Sequence, residues 1–506
     1  MRSSLEVVRR DCAYTPYAME ICKIFGNDSE VEVFTTVHYN GRLIIFKFVF
    51  DPANYHSIPS RIVMYHYTVP DDARNIFLDD DSWVEIIRST IDSVLEYCTD
   101  HHADTMPDVV FEIYEDSGEM IRWREVHERG YQENVEPLLL TASGIHGSTK
   151  ESWTTPETDH SNVVHLSHNL GGRGDCELVC LKDTTNLTLP PFDLKTKDDR
   201  ELAHSNDTVK GLFVFKGVGL YTYLQHTTET APRIETFYHE LRTVRSIPRH
   251  PNIISACSLT YLYVTAKKID SDQQLVCGTL TPYMGKGTLD DQVSKGMNKK
   301  THTTLVDKAK WCLQMSSAIA HTHHIAQSFH MDIKPSNMLL DDNKDLILID
   351  WEQSGAPTCS LAPEADGTWD VKETEEGELV YEKYTGPPRQ NLTYGSPKWN
   401  VFPMWRDECP KALEKAEVHS LGKTMWMLLQ GVAELEEAFR DGNIYWTDND
   451  IPEDWRDIVE QCLHPDPNMR IGLSELVELW EGVKERVGFF PSKVEDEICL
   501  IARPFL

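Results

Sequence analysis

The stretch from His330 to Asp350 restricts this chain more than any other. It reads His330-Met331-Asp332-Ile333-Lys334-Pro335-Ser336-Asn337, then Met338-Leu339-Leu340, a polar turn, and Leu346-Ile347-Leu348-Ile349-Asp350. Two short apolar runs around a polar turn predict a hairpin. A hairpin with this spacing brings Asp332, Asn337 and Asp350 within reach of one another. Their oxygens are hard ligands of the kind a small divalent cation takes. Phosphoryl transfer needs little covalent help. It needs positioning, metal ligands and positive charge on the transferred group. Asp332 is the candidate acceptor of a hydroxyl proton. Lys334 supplies the cation, and Asn337 and Asp350 are the candidate ligands for Mg²⁺. A capped turn with ordinary Asp and Asn is the plain alternative. The Lys-Pro inside the loop and the apolar strand ending in Asp350 weigh against it.

The rest of the chain sets the frame. A length of 506 residues predicts two to four domains. The net charge of −32 argues against nucleic acid or an anionic membrane as a partner, since both need clustered Lys and Arg. It favours basic protein partners through long-range attraction, or serves solubility alone. None of the 12 cysteines forms a C-x-x-C pair. Reduced thiols in an intracellular protein, cytoplasmic or nuclear, are expected. The start carries no apolar signal core, and the longest apolar runs are too short to span a bilayer. Asn186 and Asn391, each in an N-x-T sequence, are therefore read as chance matches rather than glycosylation sites.

Residues 1–135 read as a small α+β region. Asn40-Gly41 between two β-rich runs predicts a hairpin turn. A helix is predicted from about residue 81, with Trp83, Ile87, Ile91, Val94, Leu95 and Cys98 on one face. Ser, Thr, Gly and Pro dominate 136–162, which is read as a linker. Strand-like runs follow through 163–284, helical periodicity fills 285–486, and 487–506 is a tail. Strands first and helices after predict an α+β architecture in two lobes.

The segment His330–Asn337 resembles the catalytic loop of eukaryotic-type protein kinases, and Lys334, two residues after Asp332, resembles the serine/threonine class. The resemblance covers about 160–485. Phe213-Val214-Phe215-Lys216 resembles the strand carrying the ATP-anchoring lysine. Phe237-Tyr238-His239-Glu240-Leu241 resembles the regulatory helix, which implies pairing of Glu240 with Lys216. Lys182 is the rival lysine, but it lies much farther upstream of Glu240. Leu280–Leu289 resembles the hinge, with Thr281 as gatekeeper and the backbones of Pro282 and Met284 on adenine. Gly172 and Gly174 keep two glycines of the phosphate-covering loop, where Glu177 takes the third place. Glu417-Val418-His419-Ser420-Leu421-Gly422 resembles the buried helix behind the catalytic loop. There Glu replaces Asp, so longer bonds to that loop are expected. Arg470 resembles the structural arginine of the fold. The AEVHSLGKTMWMLL and FYHELRTV segments are also similar to uncharacterised kinase-like proteins of filamentous fungi.

Four departures from the family pattern stand out. Met331 fills the place of the arginine that gathers a phosphorylated loop, so switching by that route is not expected. Asp350 is followed by Trp351-Glu352 rather than Phe-Gly. The literal Ala362-Pro363-Glu364 lies close after Asp350 and far before Glu417. It is read as a decoy, with the equivalent segment near Asn400–Trp405 and no partner identified for Arg470. An acidic stretch around 368–384 is read as a partly disordered enlargement of the activation segment, or as a docking surface for basic proteins.

The resemblance implies a serine/threonine protein kinase that uses ATP and Mg²⁺ on a protein substrate. The alternative is a pseudokinase acting as a nucleotide-binding or scaffold module. A small-molecule kinase is a third option, against which Lys334-Pro335 argues. The His321-Thr322-His323-His324 cluster raises a metal site as an alternative to histidines at a helix end. Oligomeric state is left open.

Overall fold

The computed structural model describes most of residues 20–60, 89–94, 109–146, 157–181, 212–254, 262–297 and 303–487. The Asn40-Gly41 turn, most of the helix predicted from residue 81, Gly172, Gly174, Lys182 and the tail 488–506 lie outside the described residues. The chain divides into two compact units. One holds 1–238 and 256–283, the other 239–255 and 284–506.

The first unit is rich in sheet. β1 (Glu20–Gly26), β2 (Val33–Tyr39), β3 (Arg42–Phe48), β4 (Val109–Glu115) and β5 (Ile121–His127) form one sheet in sequence order. Every neighbouring pair is antiparallel except β3 with β4. A parallel pair needs a long crossover rather than a tight turn. The chain between Phe48 and Val109 supplies it, and Ile91 and Val94 within it are buried. Phe34, Phe46, Phe111 and Ile113 add the sheet's apolar contribution.

Two short helices follow, α1 (Arg129–Asn134) and α2 (Ala142–His146). A second sheet runs in the order β6-β10-β11-β9-β8-β7. Its strands are β6 (Glu157–Asp159), β7 (Val163–Ser167), β8 (Cys176–Leu181), β9 (Leu212–Gly217), β10 (Leu262–Lys267) and β11 (Gln274–Pro282). Part of the segment read as a linker is built into this unit. The Leu140 carbonyl accepts the Val276 N–H at 2.8 Å, and the Leu140 N–H donates to the Tyr238 hydroxyl at 2.8 Å. β6 pairs parallel with β10. Loop-like composition did not prevent this, because backbone groups pair without regard to side chain. A side chain at Gly217 would press on the Cys277 carbonyl, since its Cβ would lie 2.4 Å away.

Helix α3 (Thr230–Ser246) ends the first unit at Tyr238 and opens the second at His239. The second unit is mainly helical: α4 (Leu289–Met297), α5 (Leu305–His324), α6 (Phe402–Glu408), α7 (Pro410–Gln430), α8 (Glu453–Cys462) and α9 (Leu473–Val487). Two hairpins interrupt them, β12 (Met338–Leu340) with β13 (Leu346–Leu348), and β14 (Trp369–Glu373) with β15 (Leu379–Lys383). A capping box of Thr304 and Asp307 starts α5. Helix α7 is buried almost throughout, from Ala412 to Leu429, and Gly431 ends it with a left-handed φ of 75°. Gly422 allows α8 to approach, since a Cβ there would sit 2.6 Å from that of Cys462. A sheet-rich unit followed by a helical one fits the expected α+β class.

Candidate functional site

The β12–β13 hairpin forms as the spacing predicts, with Met338 opposite Leu348 and Leu340 opposite Leu346. Helix α5 holds it from behind. Trp311 Nε1 donates to the Lys344 carbonyl at 2.9 Å, and the Leu346 N–H donates to Gln314 Oε1 at 2.9 Å. The loop before the hairpin is braced by its own side chains. Asn337 Nδ2 donates to Asp332 Oδ2 at 2.8 Å and to the Asp332 carbonyl at 2.9 Å. Lys334 Nζ donates to the same Oδ2 at 2.7 Å. Asp332 is buried, so these charge-assisted bonds work at low local dielectric. Burial alone would lower the Lys334 pKa, but the Asp332 carboxylate beside it, helped by Glu434 and Asp350, outweighs that and raises it. Lys334 therefore stays an ammonium at neutral pH.

At the far end of the hairpin, the Ile349 N–H donates to the Asn337 carbonyl at 3.0 Å and the Ile349 carbonyl accepts from His330 Nε2 at 2.8 Å. Asp350 follows with a φ of 69°. A left-handed Asp is a costly backbone state that persists where its surroundings impose it. Trp351 is fully buried, with its ring edge-on to His330 at 4.7 Å. Its backbone N–H donates to Glu240 Oε1 at 3.3 Å. Carboxylate oxygens of Glu240, Asp350 and Glu352 lie within 4.8 Å of one another, a group that could hold a metal ion. Hard oxygen donors of this kind fit Mg²⁺. Glu352, in the place of the family glycine, was not foreseen as part of this group.

The loop His330–Asn337 is gripped by Glu417. Its Oε1 accepts the backbone N–H of His330 at 2.8 Å and of Met331 at 2.5 Å, and its Oε2 faces His323 Nε2 at 2.6 Å. The longer bonds expected from Glu in place of Asp are thus not found. The contacts are short. Burial would push the Glu417 carboxyl up, but the His323 bond and charge and the Met331 N–H hold it below the usual carboxylate range. A depressed folded-state pKa contributes stability above the ordinary carboxylate range, and that contribution fades as pH falls through the lowered value. Glu417→Ala is expected to destabilise the second unit by about 3–5 kcal/mol, the cost of leaving the His330 and Met331 N–H groups and the His323 ring buried without their acceptor. Urea denaturation at pH 7 and again at pH 4 checks it, with a smaller difference expected at the lower pH.

The histidines of the His321–His324 cluster each face a protein partner. His321 bonds the Pro248 carbonyl at 2.8 Å, His323 turns to Glu417 and His324 to Glu414. Met331 is buried with a φ of 73° and belongs to an apolar cluster with Phe329, Ala362, Leu379, Phe402 and Trp405.

The reading of Ala362-Pro363-Glu364 as a decoy is overturned. Arg470 makes a two-pronged contact with Glu364, Nη1 to Oε1 and Nη2 to Oε2, the second at 3.0 Å. Both residues are buried. The segment from Asp350 to Glu364 is therefore short, with 13 residues between the two. Ser354 and Ser360 within it are buried, and Ser360 Oγ donates to the Ile333 carbonyl at 2.6 Å. The acidic stretch lies after Glu364 and is an ordered hairpin, β14–β15, rather than a partly disordered loop. Asn468 clamps it by accepting the Leu379 N–H at 2.7 Å and donating to the Leu379 carbonyl at 2.9 Å. Of the segment read as equivalent, near Asn400–Trp405, Asn400 lies outside the described residues, Val401 precedes α6, and Val401, Phe402 and Trp405 fill the apolar cluster.

Lys216 lies on β9 of the first unit, opposite Thr279 of β11 and Cys176 of β8. Thr281 and Pro282 end β11, and the Tyr283 N–H donates to the Leu212 carbonyl at 3.0 Å. The Met284 carbonyl accepts from Gly287 at 3.2 Å in the second unit. Glu240 belongs to the second unit with the loop His330–Asn337. Gly172 and Gly174 lie outside the described residues. Sequence reasoning missed Glu434, whose carboxylate accepts the Ser336 N–H at 2.5 Å and its Oγ at 3.2 Å. It also missed Gln353. Both act from places with no local signature.

The family model for the protein kinase domain matches residues 214–369. CBL-interacting serine/threonine-protein kinase 20 of Arabidopsis thaliana is 25% identical over 253 residues, 48% of this chain and 48% of its own length. The probable serine/threonine-protein kinase FMP48 of Saccharomyces cerevisiae is 33% identical over 119 residues, 22% of this chain and 29% of its own. Serine/threonine-protein kinase CHK1 of the same yeast is 28% identical over 198 residues, 37% and 32%. The chain spans half or less of the length of these relatives. No helix among the described residues is long and apolar enough to cross a membrane. With its His330–Asn337 loop and its buried Glu364–Arg470 pair, the chain is similar over residues 214–369 to the protein kinase domain.

Proposed function

We propose that the protein is an active serine/threonine kinase, transferring the γ-phosphoryl group of Mg-ATP to a protein hydroxyl. The observation that carries this reading is the bracing of Asp332 by Lys334 and Asn337 on the Glu417-gripped loop. Asp332 orients the substrate hydroxyl and takes its proton. Lys334 meets charge developing on the transferred group. Asp350 and Asn337 would hold Mg²⁺, which supplies electrostatic stabilisation to the phosphates when bound. Lys216 and Glu240 act together on the α- and β-phosphates. Gly172 and Gly174 cover the phosphates, and the backbones of Pro282 and Met284 take the adenine. The reading includes an intracellular setting and a protein substrate of basic character, which the net charge of −32 favours.

The test is single-turnover transfer from γ-³²P-ATP to a serine/threonine peptide mixture, comparing wild type with Lys216→Met. Loss of a cation on the phosphates is expected to cost about two to three orders of magnitude. Thermal-shift titration with ATP and Mg²⁺ runs beside it. No incorporation by wild type and no stabilisation at millimolar nucleotide would leave the scaffold reading in its place.

A further inference from the structure

Two consecutive residues of α3, His239 and Glu240, hold two residues of the segment after Asp350. Glu240 accepts the Trp351 N–H at 3.3 Å. His239 Nε2 donates to Gln353 Oε1 at 2.9 Å. Gln353 then reaches the catalytic loop from the other side. Its Nε2 donates to the Phe329 carbonyl at 2.5 Å and to Ser328 Oγ at 3.2 Å. Phe329 directly precedes His330, whose ring in turn bonds the Ile349 carbonyl. One amide side chain thus spends its acceptor on the helix that carries Glu240 and its donors on the loop that carries Asp332.

This arrangement is built rather than incidental. Gln353 is 4% exposed, so each bond it loses leaves a polar group unsatisfied in the interior. Its backbone sits at a φ of 51°, the third residue after Asp350 and, like Asp350 itself, left-handed. A bulky residue in that region is held there only by its surroundings. Gln is also the one neutral side chain of this length that can accept and donate at once. Glu would keep the bond to His239 and lose both donors. The apolar Met331 cannot gather a phosphate, and Ser354 and Ser360 are buried. Another device must set the helix bearing Glu240 against the catalytic loop, and Gln353 bridges the two.

We infer that Gln353 is a positioning residue for phosphoryl transfer, fixing Glu240 relative to Asp332 through His239 on one side and the Phe329 carbonyl on the other. The inference rests on the kinase reading above for its catalytic consequence, but the bridge itself can be tested without activity.

The experiment uses the full chain with Gln353→Ala, Gln353→Glu, His239→Ala and the double variant His239→Ala/Gln353→Ala. Single-turnover rates are measured across ATP concentration, with urea midpoints and deuterium exchange on the same proteins. Gln353→Ala is expected to lower the maximal rate about ten- to hundredfold, with a smaller change in the ATP concentration at half-rate. Gln353→Glu should fall between wild type and Gln353→Ala. His239→Ala should cost less in the Gln353→Ala background than in wild type, as two residues of one network do. Exchange should rise together at 239–246 and 328–331 in Gln353→Ala, by tenfold or more. Additive losses, or exchange unchanged at both segments, would overturn the inference. An active wild type with unaffected variants defeats the bridge alone. An inactive wild type defeats the kinase reading, and the exchange data still decide on the bridge.

Discussion

Asp332→Asn is expected to leave the protein folded and to slow phosphoryl transfer to serine or threonine by about 10²- to 10⁴-fold, the span general-base catalysis commands. The substitution is close to isosteric, and its oxygen can still accept from Asn337 Nδ2 or Lys334 Nζ, which now share Oδ2 at 2.8 and 2.7 Å. What it removes is charge. Without the carboxylate, the hydroxyl proton has no acceptor matched to it. The effect on Lys334 compounds the loss. Burial opposes its ammonium, and the Asp332 carboxylate is the largest influence that overrides burial. In Asp332→Asn that support is gone, so the Lys334 pKa falls and less positive charge faces the transferred group. Single-turnover transfer measured from pH 6 to 9 separates the two effects. The proton-acceptor defect is present at every pH, while the Lys334 defect grows toward the alkaline end. Equal transfer by wild type and Asp332→Asn, with both folded, would remove Asp332 from the chemistry.

The loop His330–Asn337 was legible because its information is local. Asp332, Lys334 and Asn337 lie within six residues, and a hairpin of contiguous sequence does the rest. The same locality explains what was misread. Ala362-Pro363-Glu364 was set aside on spacing, on the assumption that inserted chain precedes the closing Glu. The insertion instead follows it, and only the bond from Arg470, 106 residues away, reveals this. The acidic stretch read as loose because Glu375, Glu376 and Glu378 dominate its tip. Its order comes from alternate residues, with Leu379 buried and Tyr381 packed edge-on to Trp405. Glu434 and Gln353 were invisible for a related reason. Each reaches the loop from a segment whose own pattern announces nothing, so only the folded chain brings them to Ser336 and Phe329.

Breaking the Glu364–Arg470 pair is expected to be among the costliest single changes in the second unit. Arg470 is 3% exposed, and its guanidinium satisfies more than Glu364: Nε donates to the His464 carbonyl at 2.9 Å and Nη1 to the Lys415 carbonyl at 3.0 Å. Glu364→Ala leaves a buried cation with those two carbonyls for company, which costs about 3–5 kcal/mol. Arg470→Met leaves a buried carboxylate and takes the guanidinium from the His464 and Lys415 carbonyls, and should cost at least as much. The paired variant Glu364→Leu/Arg470→Met removes both charges and is expected to recover much of the loss, because the desolvation of two ions goes with them. It should not recover all of it, since the bonds from the guanidinium to the His464 and Lys415 carbonyls stay lost. Urea denaturation of the three variants checks the order, and activity adds a second reading. Glu364 and Ser360 end the segment that begins at Asp350, and Ser360 touches the Ile333 carbonyl beside Asp332. Freed from Arg470, that end of the segment loses its buried anchor, so Glu364→Ala should also slow phosphoryl transfer under conditions where it remains folded. A cost below about 1 kcal/mol for Glu364→Ala, the range of an exposed pair, would mean that the segment closes elsewhere and that the short span from Asp350 to Glu364 is not a unit.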